Sequence, residues 1–303
     1  MKVLIVARCK NGRYAPFITE QVTALENLGV VCQFFGVRRK GVLGYLKQFP
    51  ELRRVIKAFR PNIVHAHYGL SGVLANLQQN VPVVTTYHGS DINSPEVLRL
   101  SRFAIRHSRF NIFVSQHNVE TAHPKKDYAL IPCGINLEDY PIVDKVEARK
   151  EMGLSLDGKY VLFAGAFDNP VKNAPLAKAA VALLPDVELL ELKGYTRHQV
   201  ELLMQAADAF LMTSFTEGSP QVIKEALACG CPIVSVDVGD VKERVSGVEG
   251  CFVVASEVQL IADALRKAIA FDGKTKGRDV ILRDGLTNTQ IADAILRVYN
   301  SIQ

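Results

Sequence analysis

The chain has 303 residues, 48% of them hydrophobic, and a formal net charge of +5 at neutral pH. That length suggests about two domains with an ample core, and no run of about 18 apolar residues is present to cross a membrane. The six cysteines (Cys9, Cys32, Cys133, Cys229, Cys231 and Cys251) include no Cys-x-x-Cys pair, so reduced, packed thiols in a cytoplasmic protein are expected, with no zinc site. The charge is uneven. Residues 1–141 carry 18 Lys and Arg against 9 Asp and Glu, whereas residues 142–303 carry 18 against 22. This asymmetry predicts two domains with different partners.

Met1-Lys2 leads straight into VLIVA (3–7), a buried strand with no cleavage site behind it, so no signal peptide is expected. The loop from Arg8 to Arg13 holds a single glycine, Gly12, and a helix is predicted from about Pro16 to Leu28. The dinucleotide fingerprint Gly-x-Gly-x-x-Gly is therefore absent, which argues against a nicotinamide or flavin enzyme. VVCQFFGV (30–37) is a second strand. Residues 38–60 are basic and amphipathic, with Arg38, Arg39, Lys40, Lys47, Arg53, Arg54, Lys57 and Arg60 against one acid, Glu51. Pro50 divides them into two helices. Val42, Leu43, Tyr45, Leu46 and Phe49 interleave with the charges, a pattern suited to an anionic membrane surface. The competing reading is a solvated helix face over core residues. No nucleic-acid recognition motif accompanies the charge.

NIVHAHYG (62–69) is a strand on which His65 and His67 share one face. With no third ligand at suitable spacing, packed or hydrogen-bonded histidines are expected there instead of a metal site. PVVTTYHGSD (82–91) is a strand and its carboxyl-end loop, which places His88 on the ligand side and leaves Asp91 to bind or to fix the loop. Residues 99–109 add Arg99, Arg102, Arg106 and Arg109. FNIFVS (110–115) and YALIPCGIN (128–136) complete the first sheet, and residues 141–158 read as a charged linker and first helix.

KYVLFAGAF (159–167) opens the second half. The loop DNPVK, ending at Lys172, and a helix from about Asn173 to Leu184 follow. VELLELKGYT (187–196) is a strand running into Lys193, Gly194 and Tyr195; the tyrosine either stacks on a base or simply packs. A helix over 197–206 and the apolar run AFLMTS lead to FTEGSPQVIKEALACGCP (215–232). Here Ser219 is a candidate N-cap and Pro220 fits the first helical position. Val222, Ile223, Ala226 and Leu227 recur at helical spacing, Gly230 and Pro232 end the helix, and PIVSVDV is the next strand. A helix N-terminus outside the carboxyl ends of parallel strands suits phosphate. Glu217 stands in the loop and Glu225 on the second turn, placed to accept hydrogen bonds from the hydroxyls of a sugar and a ribose. The plainer alternative is a loop carboxylate and a solvated helical one. The ending, GLTNTQIADAILRVYNSIQ, has apolar residues at 291, 295, 296 and 299 and a candidate N-cap at Thr289.

Glu217 and Glu225, with Gly-Ser-Pro after the first and Glu-Ala-Leu-Ala at the second, resemble the signature of retaining, nucleotide-sugar-dependent glycosyltransferases of family 4. Val-His-Ala-His-Tyr-Gly (64–69), Tyr-His-Gly-Ser-Asp (87–91) and Ile-Pro-Cys-Gly-Ile-Asn (131–136) are similar to further segments of that family. The resemblance implies an α/β fold of the GT-B type, with two Rossmann-like domains facing each other across a cleft. Residues 1–141 would form the acceptor-side domain, 142–287 the nucleotide-sugar domain, and 288–303 a helix returning to the first. It implies transfer of a sugar from a nucleotide diphosphate sugar to a hydroxyl of a glycan or lipid-linked acceptor, in cell-surface polysaccharide synthesis, at the inner face of a membrane. His88, Glu217 and Lys172 would be catalytic. Gly12, Lys172, Asn173, Lys193, Gly194, Tyr195, Glu217, Gly218, Ser219, Pro220, Gln221, Val222 and Glu225 would bind the donor, with neither cofactor nor metal. Two departures stand out. Cys133 replaces the usual Asn, and Ala166 or Phe167 stands where an Arg would clamp the diphosphate. Another GT-B nucleotide-sugar enzyme such as an epimerase, or a non-catalytic nucleotide-sugar-binding protein, remains an alternative.

Overall fold

A computed structural model describes residues 1–303. The chain divides into two compact units, Met1–Gly134 with Leu286–Gln303, and Ile135–Gly285. The first unit runs β1 (Lys2–Arg8), α1 (Pro16–Asn27), β2 (Val31–Val37), α2 (Gly41–Leu46), α3 (Phe49–Phe59), β3 (Ile63–His67), α4 (Gly69–Asn76), β4 (Val83–Tyr87), α5 (Pro95–His107), β5 (Phe110–Phe113), α6 (Gln116–Ala122) and β6 (Tyr128–Leu130). Its six strands form one parallel sheet in the order β2-β1-β3-β4-β5-β6.

Strand side chains alternate between the two faces of that sheet. Val3, Ile5 and Ala7 pack with Ile18, Val22 and Leu25 of α1, while Leu4 and Val6 pack with Tyr45, Leu52 and Leu74 on the other side. The basic segment 38–60 does form two helices, and Pro50 sits in the first turn of α3, where a missing N–H costs nothing. Between them the Gln48 amide oxygen accepts from the Arg38 and Arg39 backbone N–H groups, both at 3.0 Å. The apolar residues of this segment mostly cover the sheet. Tyr45 and Leu52 are buried, and Phe49, Val55, Ile56 and Phe59 pack against the same cluster, leaving Leu43 as an exposed exception. An apolar stripe next to a sheet face is consumed by the core before any bilayer can use it.

The second unit runs α7 (Lys145–Glu151), β7 (Lys159–Phe163), α8 (Ala174–Val181), β8 (Val187–Glu191), α9 (Arg197–Ala206), β9 (Ala209–Met212), α10 (Gln221–Ala228), β10 (Ile233–Val236), α11 (Val241–Val245), β11 (Phe252–Val254), α12 (Val258–Ile269) and α13 (Gly277–Arg283). Its sheet is parallel in the order β11-β10-β9-β7-β8. Asp208 ties its start together, pairing with Lys145 and with Arg149 at 2.9 Å and accepting from the Tyr160 backbone N–H at 2.7 Å.

The last helix, α14 (Asn288–Ser301), belongs to the first unit. Its N-cap is Thr287, not Thr289: the Thr287 hydroxyl accepts from the Gln290 N–H, and the Gln290 side chain returns the bond, a complete capping box. Ile291, Ile295, Val298 and Tyr299 bury on the α1 side of the sheet.

Candidate functional site

In the second sheet β8 leaves β7 on one side and β9 lies on the other. The chain therefore reverses its winding between β7 and β9, the place where open parallel sheets bind ligands. The loop after β7 carries Lys172 and the loop after β9 carries Glu217. The two meet there, Lys172 Nζ lying 2.6 Å from Glu217 Oε1, with each side chain 18% exposed. Lys172 ends a short 3-10 turn (Pro170–Lys172), and Asn173 follows in the left-handed region at φ 53°. The Thr213 hydroxyl holds this turn through the carbonyls of Lys172 and Asn173, at 2.9 and 3.0 Å. Gly165 leaves room for the lysine stem, since a Cβ there would stand 3.0 Å from Lys172 Cγ.

The helix at Gly-Ser-Pro starts later than the capping rules predict. Helix α10 begins at Gln221 with Pro220 in the N-cap position and no side-chain cap. Ser219 is drawn away because its hydroxyl donates to Asp240 Oδ2 at 2.8 Å. A charged acceptor from the next strand's loop outcompetes a cap. Arg244 in turn bonds Asp240 and Asp284, both at 3.0 Å. Gly239, at φ 61°, lies under the same loop: a Cβ on it would come within 2.5 Å of the Gly218 carbonyl oxygen. Asp240, Gly239 and Thr213 thus position the site, and sequence reasoning missed them. The only signal was a Gly-Asp pair at the carboxyl end of the following strand.

Gln221 and Val222 are half-buried in the first turn of α10, and Glu225 follows on its second turn. The Glu225 carboxylate lies at the Tyr140 hydroxyl, which accepts from Arg197 at 3.2 Å. Burial, then the Glu225 charge, push the Tyr140 phenol far above its usual range, so it stays a neutral donor to Glu225. Lys193 pairs with Asp168 at 2.6 Å on the surface, Gly194 follows at φ 82°, and Tyr195 is 41% exposed. All three follow β8, at the same sheet edge as Lys172 and Glu217. Phe167 occupies one of the two positions for the absent arginine. Its N–H donates to Glu191 at 2.6 Å, and the Lys178 ammonium stands 4.2 Å from its ring centroid.

His88 and Gly12 belong to the first unit. His88 follows β4, with its Nε2 3.1 Å from His67 Nδ1 and its Nδ1 3.6 Å from the Cys133 sulfur. Both ring nitrogens thus face protein partners. His67 stacks on His65, and His65 is held between the Tyr299 hydroxyl at 2.6 Å and the Thr86 hydroxyl at 2.8 Å. Burial pushes the His67 imidazole down to about 3 and His65 well below its usual range, so both are neutral packing histidines, as their spacing implies. Asp91 fixes the loop: its carboxylate accepts from the Gly69 and His88 N–H groups at 2.8 and 2.9 Å. Burial raises it to about 6 against those bonds. Gly12 sits at φ 77° in the turn after β1.

Two parallel, doubly wound units, each carrying its polar loops beyond the strands' carboxyl ends, define the GT-B class of α/β proteins. Solved structures share this fold over nearly the whole chain. Sucrose-phosphate synthase from Thermosynechococcus elongatus matches with a TM-score of 0.82 at 17% identity, covering 100% of this chain and 99% of that one. Anabaena Alr3699/HepE in complex with UDP-glucose matches at 0.78 and 19% identity, covering 99% and 100%.

Residues 2–139 match the family model Glycosyltransferase Family 4, and residues 161–270 match Glycosyl transferases group 1. The chain belongs to this glycosyltransferase family. TuaC of Bacillus subtilis (strain 168), whose name places it as a glycosyltransferase of teichuronic acid biosynthesis, is 27% identical over 268 residues, covering 75% of this chain and 69% of TuaC. The D-inositol 3-phosphate glycosyltransferase of Mycobacterium leprae (strain Br4923) is 26% identical over 271 residues, covering 72% of this chain. The match spans 63% of that relative's own length.

Proposed function

We propose that the protein transfers a glycosyl group from a nucleotide diphosphate sugar to a hydroxyl of a glycan or lipid-linked acceptor, with retention at the anomeric carbon and without a metal ion. The observation that carries this reading is the Lys172–Glu217 pair at the switch point of the second sheet. The departing nucleoside diphosphate develops negative charge, which needs fixed positive partners. Lys172 supplies one, and the N-terminal end of α10, which begins at Gln221, adds the positive end of its dipole beside it. Glu217, Gly218, Ser219 and Pro220 face the sugar, and Glu225 the ribose. Asn173, Lys193, Gly194, Tyr195, Gln221 and Val222 complete the donor contacts. His88 is the further catalytic side chain, a role that rests on the Tyr-His-Gly-Ser-Asp segment. The departing phosphate then takes the proton of the attacking hydroxyl on the same face of the sugar.

The names of the similar proteins support a UDP-sugar donor and a surface-glycan or inositol-phosphate type of acceptor. A membrane-borne acceptor also suits helix α5, whose outer face exposes Arg99, Arg102 and Arg106, with Leu100 and Phe103 at 38 and 39% exposure between them. No helix is long and apolar enough to cross a membrane. Anionic liposomes should sediment the protein at low salt, and protein left in the supernatant would leave a soluble acceptor.

The test of the reaction is donor turnover with chelator present. Activity should be the same in EDTA as without it, and the product should keep the donor's anomeric configuration. Loss of activity in EDTA, restored by magnesium or manganese, overturns the metal-free part; an inverted product overturns retention.

A further inference from the structure

A second polar site stands in the first unit, at the switch point between β1 and β3. There a cavity of about 960 Å³ is lined by Arg8, Lys10, Arg13, Tyr14, Tyr45 and Tyr68 among others. The turn at residues 10–13 is closed by reciprocal backbone bonds, Lys10 N–H to Arg13 oxygen at 2.9 Å and Arg13 N–H to Lys10 oxygen at 3.0 Å. Asn11 and Gly12 between them both have positive φ, 52° and 77°. That is the tight two-residue hairpin turn which Asn-Gly favours. Lys10 and Arg13 are direct antiparallel partners, so their side chains leave the same face of the turn. Like charges placed directly opposite repel each other.

No carboxylate relieves that repulsion, since Arg8, Lys10 and Arg13 form no ion pair. The one acid lining the cavity, Asp91, is 4% exposed and spends its carboxylate on the backbone N–H groups of Gly69 and His88. Three cations are thus held around a concave site with their neutralising partner missing, and three tyrosines supply ring faces and hydroxyls beside them.

We propose that this cavity receives the acceptor and that the acceptor bears a phosphate group near the hydroxyl that is glycosylated. The proposal rests on the glycosyltransferase reading and deepens it. Arg8 and Arg13 offer planar forks that match phosphate oxygens, and Lys10 adds a point charge. A carboxylate-bearing sugar is recognised by the same groups but neutralises fewer of them.

The experiment measures thermal shifts with inorganic phosphate, glucuronate and chloride at matched ionic strength. It uses the intact protein, Lys172→Ala, and the triple variant Arg8→Gln, Lys10→Gln, Arg13→Gln; nucleoside diphosphate binding is measured on all three. Phosphate should stabilise the intact protein and Lys172→Ala more than chloride does. Its apparent affinity should fall at least roughly tenfold in the triple variant, whose unliganded melting temperature stays the same or rises, because a repulsion is removed. Nucleoside diphosphate binding should persist in the triple variant. A phosphate response equal to that of chloride, or unchanged by the triple substitution, overturns the proposal. So does stronger stabilisation by glucuronate, or loss of nucleoside diphosphate binding in the triple variant, which would assign these cations to the donor. Failure of the intact protein to bind any nucleoside diphosphate would instead count against the glycosyltransferase reading itself.

Discussion

The Lys172 ammonium is bonded to the Glu217 carboxylate at 2.6 Å. Each neutralises the other, and each is the group that the proposed donor needs. On the proposed reading, a diphosphate competes with Glu217 for Lys172, and that competition opens Glu217 to the hydroxyls of the sugar, so one ion pair would couple the binding of the two halves of the donor.

Replacement of either partner should then act differently on binding and on turnover. Lys172→Ala removes a positive partner of the leaving group and should lower turnover by about 10²–10³-fold. Glu217→Gln removes the competitor for Lys172, so nucleoside diphosphate affinity should hold or tighten while turnover falls. Calorimetry beside initial rates checks this, and equal, small effects of both changes on both measurements would show that the pair is structural.

Glu225 accepts from Tyr140 and faces the proposed ribose. Glu225→Gln should weaken nucleoside diphosphate binding by about 1.5–3 kcal/mol, the range for a hydrogen bond to a charged group. Nucleoside monophosphate binding should weaken by the same factor, because the ribose is common to both. Unchanged affinity for both would place the ribose elsewhere.

Gly239 tests whether the loop at Gly218 must sit where it does. A Cβ at Gly239 meets the Gly218 carbonyl at 2.5 Å, whereas one at Gly247, at a similar φ of 73°, meets nothing within 4 Å. Both alanine variants carry backbone strain on the order of 1–3 kcal/mol. Only Gly239→Ala should also depress turnover, measured at a temperature where both remain folded. Equal activities would remove the loop from the mechanism.

The stability of the protein should fall in mild acid. His65 and His67 are held neutral in the native state, with folded values depressed below their ordinary 6.5. The unfolded chain therefore binds more protons as pH drops through about 6.5, and stability present above that pH is lost. Asp91 works the other way. Its folded value is raised from 3.8 to about 6, so the native state gains a proton below that pH and offsets one of the two histidines. Urea midpoints should fall as pH drops through about 6.5, each buried histidine costing about 0.7 kcal/mol per pH unit at 6.5 and approaching about 1.4 kcal/mol per pH unit a unit lower, with Asp91 offsetting one of the two below about 6. His67→Gln should flatten the profile; an unchanged slope would mean that the histidines ionise in place.

The division of labour is visible in particular residues. The strands are signalled by local apolar runs, and Pro50 marks the start of α3, because hydrophobic periodicity and proline geometry act over a few positions. The motif around Glu217 and Glu225 is likewise local, a loop and two helical turns, so the donor-side hypothesis was legible before any fold was known. What local rules could not decide was which partner a polar side chain chooses when several are offered. Ser219 had the pattern of a helix cap but bonds Asp240, 21 positions away, and the cap of α14 moved to Thr287 because Gln290 completes a box there. Tyr45 and Phe49 had the pattern of an apolar membrane face but cover the sheet. Lys172 and Glu217 lie 45 positions apart in the chain and meet only because β7 and β9 are neighbours. Lys10 and Arg13 are near in sequence, yet their shared face depends on the positive φ angles of Asn11 and Gly12, and the cavity they line needs Tyr45 and Tyr68 from distant elements. Elements are chosen by nearest-neighbour sterics and burial, which the sequence states directly; pairings are chosen by competition among distant groups, and only the packed chain brings the competitors together.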